Sequence, residues 1–151
     1  GKGFPILEAA IDKGILAVGA EAVGAMEVLY KSTVEYCKTR EQFGQPIGKF
    51  QVLQHRMVDM FMEHEQSKSL LFMAAIKMSS GDEAEKKRSI SALKVQVGKS
   101  GRFVGQNAIQ LHGGMGMTDE LNIGHYFKRL TAIETLFGNV DHHLKKYSSV
   151  A

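Results

Sequence analysis

Two stretches of this sequence gather residue types that a plain connecting segment does not need. The first is YCKTREQFGQPIGKFQ, residues 36–51. Arg40 offers a planar fork of donors suited to a phosphate, and Phe43 offers a flat apolar face suited to an aromatic ring. Gln42 and Gln51 place amides in the same segment. The same residues also fit a loop pinned by one buried aromatic and one helix-terminal arginine, and composition leaves both readings open. The second stretch is QLHGGMGM, residues 110–117. Glycines at 113, 114 and 116 let successive backbone N–H groups face an anion or the edge of a ligand. A glycine run also serves as a simple helix stop. No strand precedes it, which excludes the strand–glycine loop–helix fingerprint of dinucleotide binding.

A third stretch, RLTAIETLFGNVDHH at 129–143, turns a corner at Phe137-Gly138-Asn139. Glycine breaks one helix there, and asparagine is able to cap the next. Glu134 is the nearest carboxylate before the corner, either a surface glutamate or a group with work to do. Asp141, His142 and His143 are consecutive, so a helix points them in different directions and no metal site is predicted.

The elements that position these stretches are helical. Apolar residues Ile11, Ile15, Val18, Ala22, Met26 and Leu29 recur at intervals of three and four, which predicts one helix from Gly3-Phe4-Pro5 to about Arg40. Ala17, Gly19, Ala20, Ala22, Gly24 and Ala25 are small enough for a neighbouring helix to approach closely. Gly44, Pro46 and Gly48 mark 41–50 as a structured loop. A second helix is predicted from Gln51 to Ser79, with Leu53, Met57, Met60, Leu71, Ala74 and Met78 on one face. Ser80-Gly81-Asp82 is a break, with Asp82 and Glu85 forming a capping box. The third helix carries Ile90, Leu93, Val97, Gly101, Val104 and Ala108, and its Lys- and Arg-rich side reads as a solvated face. It stops near Leu111. Thr118-Asp119-Glu120 predicts a helix restart, and a last short helix runs from Gly138-Asn139 to about Tyr147. The expected fold is all-α: an up-down bundle of three long antiparallel helices with a shorter C-terminal pair.

A length of 151 residues suits one domain, and 44% apolar with 23% charged residues is an ordinary soluble mix. No apolar run is long enough to span a bilayer, so no membrane partner is expected. The single Cys37 cannot form an internal disulfide, which favours a reducing, cytoplasmic compartment. A net charge of +3, with its bases dispersed, argues against nucleic acid. Gly1 is not a methionine, and the expectation is a piece of a larger chain.

In order and separation the two long motifs resemble the acyl-CoA dehydrogenase family. Tyr36, Arg40, Gln42, Phe43, Gly44, Pro46, Ile47, Phe50 and Gln51 match one family pattern, and Gln110, Gly113, Gly114 and Gly116 match another. The resemblance covers essentially the whole chain and implies the family's C-terminal helical domain alone, without the N-terminal helical and middle β domains. It implies FAD as cofactor and an acyl-CoA as substrate of the full-length protein. Arg40 and Phe43 would approach the FAD of a neighbouring subunit, Arg40 at the pyrophosphate, and Gln51 would be a further flavin contact. Gln110, with the backbone at Gly113 and Gly114, would hold the adenosine-diphosphate end across a dimer interface. Asn139 stands where the family commonly has a capping Thr beside the flavin.

The resemblance also exposes a gap. The family's reaction removes a weakly acidic α-proton, which requires a positioned carboxylate. The usual site, immediately before the Gly that precedes the last helix, is Phe137 here. The alternative site on the first helix falls near Gly14, followed by Ile15. Asp12 is the nearby acid, and Glu134 is the one stand-in close to the corner. The segment HYFKRLTAIETLFGNVDHH resembles small subunits of heteromeric relatives such as pimeloyl-CoA dehydrogenase, in which a partner chain can carry the base. Two expectations follow: a dehydrogenase domain that holds FAD, or a non-catalytic assembly subunit that holds FAD for a partner. The assembly would be a homodimer, a homotetramer, or a heterotetramer with a large subunit.

Overall fold

A computed structural model describes residues 3–79 and 81–149. Helix α1 spans Gly3–Thr39, α2 Gln51–Met78, α3 Glu83–His112, α4 Ile123–Thr135 and α5 Val140–Ser149. Ion pairs and ring contacts fix the direction of each. Lys77 at the end of α2 pairs with Glu85 at the start of α3, so these two helices run antiparallel. Lys87 near the start of α3 meets Glu8 near the start of α1 at 3.1 Å, and Tyr36 near the end of α1 stacks on His112 at the end of α3. Thus α1 and α3 run parallel, with α2 returning between them. This is the expected up-down bundle with its shorter terminal pair.

Helix α3 is the hub, because it packs on α1, α2, α4 and α5. Its buried apolar positions are Ile90, Leu93, Val97, Val104, Ala108 and Leu111, facing Ile15, Ala22, Met26 and Leu29 of α1 and Met60 and Ala74 of α2. Gly98, Gly101 and Gly105 form a seam along α3 that receives α4 and α5. An added Cβ would lie 2.7 Å from Val140 at Gly98, 3.3 Å from Leu130 at Gly101 and 2.5 Å from Phe127 at Gly105. Gly19 of α1 is filled in the same way by Leu93, at 2.9 Å. These small residues are therefore consumed within the chain. Exposed apolar residues gather on the outside of α2, at Val58, Phe61, Met62, Phe72, Met73 and Ile76, and at the start of α1, at Phe4, Ile6 and Leu7.

Four local expectations need correction. The loop after α1 contains a minimal hairpin, strand β1 at Glu41–Gln42 paired antiparallel with β2 at Gln45–Pro46. Asp82 does cap α3, accepting from the N–H groups of Ala84 and Glu85, but the Glu85 side chain turns to Lys77 instead of completing a capping box. Ser80, part of that predicted break, lies outside the described residues. Thr118 does not restart a helix. Its hydroxyl and its N–H both donate to the Met115 carbonyl, at 3.0 and 3.3 Å, closing the 3₁₀ turn Gly113–Met117, and α4 starts at Ile123. Finally, the stripe read along α3 is not wholly apolar, because Lys94 lies completely buried within it.

Candidate functional site

The chain packs its first motif against the end of α1. Ile47 donates its N–H to the Arg40 carbonyl at 2.8 Å, and Gly48 lies so close that a Cβ would come 2.9 Å from the Cys37 carbonyl oxygen. With 47–48 anchored, the hairpin projects outward. Its two-residue loop is Phe43-Gly44, with φ of +53° and +78°. Positive φ at both central positions is what a type I′ turn requires. Gly44 adopts it freely, whereas in Phe43 it costs about 1–2 kcal/mol. The Phe43 ring is 91% exposed, and it meets the Phe50 ring edge-on with centroids 6.1 Å apart. Phe43 is therefore not a buried pin for the loop. Among the described residues, no hydrogen bond or ion pair engages the Arg40 guanidinium. Gln51 is exposed at the first position of α2.

The second motif arrives beside the first, although some 70 residues separate them. Tyr36, Arg40 and Gln42 line one cleft of about 460 Å³ together with Gln110, Gly113 and Gly114. The join is the Tyr36–His112 stack, with ring centroids 4.4 Å apart and planes inclined by 29°. His112 is buried and holds the Ala108 carbonyl through Nδ1 at 2.8 Å; burial lowers its pKa against the opposing pull of that carbonyl. Gly113 has φ +60° and gives its N–H to the Gln110 carbonyl. Gly113 supplies the turn and no free donor of its own. A Cβ on Gly113 or Gly114 would meet nothing within 4 Å, so the backbone faces open space there.

The corner after α4 is a separate place. Phe137 has φ +59° and Gly138 φ +101°. Asn139 caps α5, its Oδ1 accepting from His142 N–H at 3.0 Å and its carbonyl from His143 N–H at 3.1 Å. The Phe137 ring lies on Gly14, where an added Cβ would come 2.9 Å from Cζ. Phe137 and Gly14, the two positions where the resemblance led to the expectation of a base, thus face each other, with the aromatic ring in the space between them. Beside that ring is a cavity of about 320 Å³ with Phe4, Leu7, Ile11 and Ile15 as apolar walls and Glu8, His142, His143 and Lys146 as its polar side. Glu134 does not share it. That carboxylate lines a different cavity with Gly98, Lys99, Arg102 and Asn139, and its Oε1 lies 3.4 Å from the Val140 nitrogen.

Buried ionisable groups surround this corner. Lys94, on α3, donates from Nζ to the carbonyls of Glu134 and Gly138, each at 2.8 Å, and burial lowers its pKa while the Glu134 charge raises it. His143 is 1% exposed with Nε2 3.0 Å from the Phe137 carbonyl. Burial above all pushes its pKa down to about 4. Asp12 is 7% exposed; burial raises its pKa against the pull of Lys146, whose Nζ is 3.9 Å away. Sequence reasoning missed Lys94 although a signal existed: it falls four residues after Ile90 and three before Val97, inside the apolar stripe. Among the described residues no group of three His, Cys, Asp or Glu side chains is arranged to hold a metal, and no helix is long and apolar enough to cross a membrane.

Three long helices and a terminal helix pair thus bring an arginine-bearing hairpin and a glycine turn to one cleft. The chain belongs to the acyl-CoA dehydrogenase family: the family's C-terminal domain matches residues 1–147. It is 34% identical over 133 residues to the short-chain-specific acyl-CoA dehydrogenase of Megasphaera elsdenii, an alignment covering 85% of this chain and 33% of that protein. The solved butyryl-CoA dehydrogenase from Megasphaera elsdenii superposes with a TM-score of 0.92 at 29% identity, covering 99% of this chain and 38% of that one. PigA, solved with FAD and proline, superposes with a TM-score of 0.86 at 27% identity, over 92% of this chain and 36% of that one. The chain therefore spans about a third of the length of these relatives.

Proposed function

We propose that this domain works within a larger FAD-dependent acyl-CoA dehydrogenase-like protein, completing a flavin site and the oligomer around it. One observation carries the reading: the two motifs converge on a single cleft. The residues there suit the cofactor. Arg40 has an uncommitted fork for a pyrophosphate, Gln110 adds an amide, and the open backbone at Gly113 and Gly114 admits a bulky ligand. Phe43, exposed on a strained turn, is presented to something outside this chain. Gln51 and Asn139 lie outside that cleft, Asn139 at the corner, so they would meet a flavin elsewhere, with Asn139 beside the reacting end. Bound FAD would supply the hydride acceptor for α,β-dehydrogenation of an acyl thioester. This chain's own residues would position it and exclude water.

The corner favours a second reading for the base. With Phe137 seated on Gly14, neither position presents a carboxylate, and Glu134 faces a different cavity. A non-catalytic subunit that holds FAD for a partner carrying the base accounts for this arrangement. The apolar outer face of α2 supports assembly, as a homodimer or homotetramer or as a heterotetramer with a large subunit. The test is purification of the full-length protein, with and without a co-expressed large subunit, followed by FAD stoichiometry and acyl-CoA-dependent flavin bleaching. Bound FAD with bleaching confined to the pair supports the subunit reading. Bleaching by the single chain supports the dehydrogenase reading. Absence of flavin from both preparations overturns the proposal.

A further inference from the structure

The corner at 136–139 is held in an unusual way. Helix α4 ends with carbonyls that have no partner within the helix, which normally go to water or to a cap. Here three carbonyls in five residues are taken by two buried side chains from other helices. Lys94 of α3 binds those of Glu134 and Gly138, each at 2.8 Å, and His143 of α5 binds that of Phe137 at 3.0 Å. Lys94 has no exposed surface and His143 has 1%. A lysine is rarely enclosed so completely unless hydrogen bonds replace its water, and a merely favourable charge near a helix end needs no second bond beyond the helix.

We propose that Lys94 and His143 form a carbonyl clamp, a pair of positioning residues that hold the corner so that the Phe137 ring lies on Gly14 and shapes the adjoining cavity. The Phe137 side chain cannot hold itself there. The residue is 43% exposed and its backbone sits at φ +59°, a region a non-glycine residue keeps only where its surroundings impose it. The surroundings that impose it are these bonds to carbonyls 134, 137 and 138. The Gly98 contact with Val140 brings α5 close against α3, so both prongs reach the same short segment. Lys94 thus couples the hub helix to the Phe137 corner and its adjoining cavity. It acts through the backbone and touches no substrate.

The test reads the ring directly and involves no flavin, so its failure would leave the flavin proposal standing. In the labelled chain, a nuclear Overhauser contact joins the Phe137 ring protons to the Gly14 α-protons. Lys94→Met keeps the volume and removes the donors, and it is expected to abolish that contact and shift the Gly138 carbonyl carbon. Val104→Ala, a core change farther along α3 from Lys94, should lower the melting temperature while preserving the contact. His143→Gln, which retains a donor, should preserve more of the contact than His143→Leu. Persistence of the contact in Lys94→Met overturns the clamp. Should that variant fail to fold, the unsubstituted protein decides: a slowly exchanging Lys94 Nζ signal coupled across hydrogen bonds to carbonyls 134 and 138 is expected, and a freely exchanging one overturns the proposal.

Discussion

Replacing Arg40 by alanine isolates the cleft from the fold. Among the described residues the guanidinium has no hydrogen bond or ion pair, and the residue is exposed, so truncation should change stability by no more than about 0.5 kcal/mol. On the flavin pyrophosphate the same group would make charge-assisted and potentially bidentate contacts worth about 1.5–3 kcal/mol. At about 1.4 kcal/mol per decade, its loss should weaken FAD binding roughly ten- to hundredfold. The assay is flavin titration of the full-length oligomer after cofactor removal, paired with a thermal melt of each variant. Arg40→Lys keeps the charge without the fork and should fall between the two. The wild-type advantage should also shrink as salt is raised. Unchanged FAD affinity in Arg40→Ala, with an unchanged melt, refutes the assignment of this hairpin to the cofactor.

Three further outcomes are expected. Because His143 has a folded pKa of about 4 against an ordinary value of 6.5, the unfolded chain binds the proton more readily between these values. Stability should therefore fall as pH drops from about 6.5 to 4, by on the order of 3 kcal/mol at full extent. His112, also depressed, adds to this loss, whereas Asp12, whose pKa is raised, opposes it. Urea unfolding at a series of pH values checks it, and the same slope in His143→Gln would remove the cause. Gly105→Ala would put a methyl group 2.5 Å from Phe127, a clash costing about 1–3 kcal/mol. The melting temperature should drop by roughly 2–12 °C, and an undisturbed melt would contradict the seam. Phe137→Glu puts a carboxylate where the resemblance implies a base, and acyl-CoA bleaching by the full-length protein without a partner should rise. If wild type already turns over alone and Glu134→Gln abolishes that activity, Glu134 is the base and the corner has been misread.

Most of the bundle was legible because its apolar stripes keep a helical period over long runs. Ile90, Leu93, Val97, Val104 and Ala108 were all read as interior and are interior. Local hydrogen bonding was harder to see. Thr118 is as good a donor to the carbonyl behind it as a cap for the helix ahead, and only the 3₁₀ turn at 113–117 decides between them. Lys94 was passed over, although its place in the stripe was a guide to its burial. That α4 and α5 fill the glycines of α3 was not legible, because the sequence does not say which helix docks where. The convergence of Arg40 with Gln110 depended on α1 and α3 running parallel, a consequence of topology and not of either motif alone.

The Tyr36–His112 stack has an optical consequence. The chain contains no tryptophan and has four tyrosines, so tyrosine alone carries its ultraviolet emission. Tyr36 stands at the edge of the cleft with its ring against an imidazole. An isoalloxazine or adenine ring arriving there would enter the immediate surroundings of one fluorophore out of four. Within this chain, occupancy of the cleft would then register as a change in tyrosine emission, a reporter that the chain carries without any label.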